Sequence, residues 1–187
     1  MEYIEREVDE RLKEWSISDN RMPLLIRGAR QVGKTSSVRH LGESFKYYVE
    51  IDLNEHRELH KLFSQTLTPQ EICLQISYTV NKPIEAGKTL LFIDEIQACP
   101  EAINKLRYFY EQYPELHLIA AGSLLEFVLA DLPSFGVGRI RSLFMYPFSF
   151  KEFLHANDED LLLSAYLNAS PEKPLNEIVH NKLLHRF

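Results

Sequence analysis

Gly28, Gly33, Lys34 and Thr35 stand in the order G-x-x-x-x-G-K-[ST] within "LLIRGARQVGKTSS", residues 24 to 37. Glycines at these two positions let the backbone turn so that successive N–H groups converge, and a helix opening just after them adds the positive end of its dipole. That is chemistry for a polyphosphate. Lys34 brings a point charge for the terminal phosphates, and the Thr35 hydroxyl suits Mg2+. Gly28, Ala29, Arg30, Gln31, Val32, Gly33, Lys34, Thr35 and Ser36 are therefore the expected phosphate cradle.

Mg2+ carried on phosphates needs a carboxylate partner, usually held through water, because the ion dehydrates reluctantly. Asp94 closes the apolar run "TLLFID" and stands where open α/β sheets bind ligands, so Thr35 and Asp94 form the expected metal pair. Glu95 comes next. A carboxylate there can orient water in line with a γ phosphate, whereas a kinase has a substrate hydroxyl for that role, so Glu95 favours hydrolysis over phosphotransfer. The plain alternative is a glutamate at a helix N-terminus.

Ser123 follows the run "HLIAAG". It would approach the γ phosphate if its strand lies between the cradle strand and the Asp94 strand, and it would equally well cap a helix over "LLEFVLA". Arg139, in "FGVGRIRS", could stabilise charge developing on a transferring phosphoryl group; Arg141, two residues on, would point the same way if the strand starts early, and the glycine beside Arg139, which lets the loop approach the site, favours Arg139. A solvated arginine is the alternative. Lys34, Glu95, Ser123 and Arg139 make up the expected catalytic set.

These residues must be held by elements of strand and helix. Short apolar runs at residues 23 to 26, 47 to 53, 89 to 94, 117 to 121 and 140 to 146 have the length of strands. Helical periodicity separates them, over residues 2 to 15, 35 to 45, 69 to 80 and 100 to 113, with Pro100 suited to a first turn. Strands alternating with helices predict a doubly wound α/β layout, a parallel sheet covered on both faces. After Pro147 the segments are all helical, which places a boundary near residue 156: a domain over 1–156, then a helical segment over 157–187. The apolar periodicity running to Phe187 reads as the truncated start of a further, C-terminal domain.

Composition bounds the rest. With 187 residues, 45% apolar and 26% charged, the chain can bury a core, and a net charge of -6 without a Lys/Arg block lacks the footprint of a general nucleic-acid binder. Cys73 and Cys99 are too far apart for a zinc knuckle and read as reduced, partly buried thiols. His56 and His60 are spaced i, i+4 but lack the glutamate of a zincin pair. The N-terminus "MEYIEREVDERLKEW" has no basic region followed by an apolar core, and "LHLIAAGSLLEFVLA" is too short and too interrupted to span a bilayer. A cytoplasmic location without membrane contact is expected.

Taken together, "LLIRGARQVGKTSSV", "VEIDLNE", "TLLFIDEIQACPEAINKLRYFYE", "LIAAGSLLEF", "FGVGRI" and "LFMYPFSFKEFL" resemble the AAA+ type ATPase domain of a bacterial and archaeal group of ATP-binding proteins that carry a C-terminal domain of unknown function. The resemblance covers about residues 2 to 156. It implies a three-layer P-loop NTPase with sheet order 5-1-4-3-2, followed here by a short helical extension, with the Ser123 strand beside the cradle strand. It implies ATP and Mg2+ as ligands, Asp94 on the metal and Glu95 on water. Its implied partners are ATP or ADP, possible further copies of the chain, and a protein or DNA reached through the C-terminal domain. Two rivals share the same motifs: a regulatory scaffold that binds nucleotide without turnover, and a P-loop kinase whose only lid candidate is the loop at 131 to 139. Adenine over guanine rests on the resemblance and on "VNKP" lacking the aspartate of a guanine-reading motif.

Overall fold

The computed structural model describes residues 3–123, 125 and 138–186. Apart from Leu125, the helix expected over "LLEFVLA" lies outside the described residues, as does most of the loop at 131 to 139. By contact density the chain divides into two units, Val8–Tyr146 and a second made of Met1–Glu7 with Pro147–Phe187.

In the larger unit, strands β1 (Leu24–Arg27), β2 (Tyr47–Asp52), β3 (Thr89–Asp94), β4 (His117–Gly122) and β5 (Arg141–Phe144) form one sheet in the order β2-β3-β4-β1-β5. Every pairing is parallel. Read from the other edge this is the order 5-1-4-3-2 that the resemblance implied, and the fold is α/β with a parallel sheet. β3 and β4 are buried along their whole length, as central strands with both faces covered must be.

The strand sequences split by parity, because successive side chains point to opposite faces. Leu25, Leu91, Ile93, Leu118 and Ala120 turn to one side, where they pack with Leu62 and Phe63 of α3 (His60–Ser64), Ile72 and Ile76 of α4 (Pro69–Val80), and Ile103, Leu106 and Phe109 of α5 (Pro100–Gln112). Leu24, Ile26, Leu90, Phe92, Ile119 and Ala121 turn to the other, against Leu12 and Trp15 of α1 (Glu7–Ser16) and Val38 of α2 (Lys34–Gly42). Each such large side chain contributes about 1.5–3 kcal/mol by leaving water. These are three layers with a core on each face. Thr68 opens α4 with a capping box, its hydroxyl accepting from the Glu71 amide while the Glu71 carboxylate accepts from the Thr68 amide.

The first helix begins later than its periodicity suggests, at Glu7 instead of residue 2. The reason is a cap within the second unit: Glu152 Oε1 accepts from the Glu7 amide at 2.9 Å and from Arg6 Nε at 2.8 Å. Glu152 belongs to α6 (Phe150–Ala156), which packs with α7 (Asp160–Leu167) and α8 (Glu177–Leu184) around Leu154, Leu162 and Leu183. Among the described residues no helix is long and apolar enough to cross a membrane.

Candidate active site

β1 runs into α2 on one face of the sheet, whereas β3 runs through a short 3-10 turn into α5 on the other. With only β4 between them, these two strands send their chains to opposite faces and so open a crevice at the carboxyl edge, which is where such sheets bind ligands. The cradle lies there. Gly28 sits at φ 146, and a β-carbon on it would stand 2.2 Å from the Met145 carbonyl oxygen, so only glycine fits between β1 and the end of β5. Gln31 at φ 62 and Gly33 at φ 96 complete the turn. Gly33 caps α2 without a side chain, which leaves the first N–H groups of the helix to the loop.

Lys34 is buried, and its ammonium donates to the Gly28 carbonyl at 3.0 Å and the Ala29 carbonyl at 2.7 Å. Burial pushes its pKa below the usual lysine value, against the pull of the Glu95 and Asp94 carboxylates. Thr35 Oγ1 donates to Asp94 Oδ2 at 2.6 Å, which brings the two expected metal residues into contact across 59 positions of sequence. Burial raises the Asp94 pKa, offset in part by the Thr35 hydroxyl and by the Glu95 amide, which donates to Asp94 Oδ1 at 2.9 Å. A hydroxyl and a carboxylate are hard oxygen donors, a set that fits Mg2+.

Glu95 occupies the left-handed region at φ 49, ψ 42, an uncommon conformation for a residue other than glycine, asparagine or aspartate. Ser123 is buried one residue past the end of β4, and β4 does lie between β1 and β3. Lys34, Thr35, Asp94, Glu95 and Ser123 thus gather at one edge.

Arg139 does not join them within one chain. Arg141 pairs in register with Leu24 at the start of β1, so Arg139 precedes the opposite edge of the sheet, about 13 Å along the strand direction from Gly28 at 3.3 Å per residue. There its Nε pairs with Glu111 Oε1 at 2.5 Å. A strand that runs parallel to β1 delivers the residues before it to the edge away from the cradle.

Gln97 belongs to no motif that the sequence displays. It lies in the turn after β3 and its Nε2 donates to Glu95 Oε2. Its only sequence signal is a position two residues beyond Glu95. His56 and His60 turn to different partners, Glu58 Oε1 at 3.0 Å and the Leu53 carbonyl at 2.7 Å. Cys73 and Cys99 are buried, and burial pushes their thiols up to about 12 and about 11, far from reactive thiolates.

A glycine cradle at a helix N-terminus, facing a hydroxyl and carboxylate pair on a parallel sheet, defines a P-loop nucleotide-binding domain. Residues 20–154, well over half of the chain, match the family described as AAA domain, and the chain belongs to it. Membership supports nucleotide binding and, for the class, ATPase activity with Mg2+. No curated protein matches. Among solved structures, that of C. elegans PCH-2 is similar at 21% identity with a TM-score of 0.44, over 94% of this chain and 50% of that one, so the chain spans half of that protein's length.

Proposed function

We propose that the chain is an ATP-binding and ATP-hydrolysing domain that works as a nucleotide-dependent switch for a C-terminal module. The observation that carries this reading is the 2.6 Å contact between Thr35 and Asp94 beside the buried Lys34. Residues 28 to 36 would hold the phosphates through backbone N–H groups. Lys34 exchanges two loop carbonyls for terminal phosphate oxygens, so its charge stays partnered in both states. Thr35 and Asp94 would hold Mg2+, which when bound neutralises phosphate charge. Glu95 orients the attacking water and takes its proton, while Ser123 reads the γ phosphate from the end of β4.

Arg139 stands at the far edge of the sheet, so its contribution to phosphoryl chemistry requires a second copy of the chain. Transmission to the C-terminal module runs through the backbone. The Met145 amide donates to the Arg27 carbonyl at 2.8 Å and its carbonyl is seated against Gly28, so a change in the cradle acts on the strand end that leads into Pro147.

Lys34→Ala should weaken Mg-ATP binding about ten- to a hundredfold by calorimetry, the size of a lost charge-assisted bond or two. Glu95→Gln should keep the affinity and abolish steady-state release of inorganic phosphate. Intact turnover in Glu95→Gln would remove its assigned role, and a phosphorylated acceptor in place of free phosphate would make the protein a kinase.

A further inference from the structure

The hydrolytic reading leaves unexplained what holds Glu95. Its backbone is in the left-handed region, and the chain then makes the 3-10 turn Ile96–Ala98, which returns the Gln97 side chain toward it. The Gln97 amide nitrogen donates to Glu95 Oε2. Its amide oxygen is buried without a hydrogen-bond partner. That oxygen lies against Gly122, the last residue of β4, where a β-carbon would come within 2.3 Å of it.

An unpaired buried amide oxygen is destabilising, because it has given up its water without gaining a donor. Rotating the amide by half a turn would not relieve it, because the oxygen would then face the Glu95 carboxylate. The amide orientation is therefore dictated by Glu95, and the space it fills is dictated by the missing side chain at Gly122. The glutamine is wedged between a rigid strand end and the carboxylate. One oxygen of Glu95 is fixed in this way, and among the described residues none donates to the other.

Resting on the hydrolytic reading, we infer that Gln97 is a positioning residue for Glu95: braced on Gly122, it pins one carboxylate oxygen so that the other is presented to water. A carboxylate held by one oxygen keeps a defined direction for proton transfer, whereas a free glutamate side chain samples several rotamers. Gly122 takes part as the space that admits the glutamine, and Ser123, next in the chain, is kept in register with it.

The test is steady-state ATPase and Mg-ATP calorimetry on the full chain. Gln97→Ala should lower kcat about ten- to a hundredfold, the usual range for a misplaced catalytic group, with KM and nucleotide affinity unchanged. Gly122→Ala, which displaces the amide by a methyl group, should lower kcat in the same way, and adding it to Gln97→Ala should cost no further activity because the space has been vacated. In the nucleotide-free protein, the Gln97 side-chain amide NMR signal should shift on Glu95→Ala. A wild type that turns over while Gln97→Ala retains full kcat overturns the inference alone. So does a rise in kcat, which would make Gln97 a restraint, or an equal loss of kcat and affinity, which would make it merely structural. A wild type that binds Mg-ATP but releases no phosphate overturns the hydrolytic reading, and the inference with it.

Discussion

Replacing Glu152 by glutamine should loosen the helical unit by an amount that the pH dependence can check. Its carboxylate accepts from Arg6 Nε, the Glu7 amide and the Ser149 amide, at 2.8, 2.9 and 2.7 Å. Burial alone would raise the carboxyl, but these bonds outweigh it and bring the pKa from 4.5 down to about 2. A depressed carboxyl stabilises the fold above its unfolded pKa, and the stabilisation is lost as pH falls through the folded value. A gap of this size corresponds to about 3 kcal/mol at pH 7 and about 1 kcal/mol at pH 3. Native-state hydrogen exchange reads this locally: amides of α6 in Glu152→Gln should lose about a hundredfold in protection at pH 7 and much less at pH 3. Equal protection in both proteins at pH 7, or a deficit that does not shrink with acid, would refute the reasoning.

His117 offers a second pH window. Burial and the Arg21 charge lower its pKa from 6.5 to about 4, and its Nε2–H donates to the Ser16 carbonyl at 3.1 Å. Stability is therefore full above pH 6.5 and falls by about 3 kcal/mol as pH drops towards 4. The single tryptophan, Trp15, packs edge-on against His117 at 6.1 Å, so its fluorescence during urea unfolding should show that loss in wild type and not in His117→Gln. For Arg139, mixing Lys34→Ala with Arg139→Ala should restore part of the ATPase activity that each lacks, because one copy keeps an intact cradle and the other an intact arginine. Mixtures no more active than the separate variants would exclude a role across copies.

Much of this was legible because it is local. The cradle reads from Gly28 to Thr35 since only glycine tolerates φ 146 against Met145 and φ 96 before a helix. The Asp94 strand reads from an unbroken apolar run, since a strand covered on both faces has no polar side. The start of α1 was not legible, because the carboxylate that caps Glu7 comes from residue 152. Nor was Gln97, whose significance depends on Gly122 being its neighbour across two strands.

The parts are written locally: a glycine-lysine turn suited to phosphates, a strand-ending carboxylate followed by a second acid, and alternating strands and helices. Periodicity and turn chemistry act over a few residues, so they can be read there. The relations between parts arise in the folded domain. Parallel pairing in the order β2-β3-β4-β1-β5 places Ser123 at the cradle edge and carries Arg139 to the other end of the strands. Strand order is set by which faces and edges bury one another across the whole domain, and no local stretch of residues contains that balance.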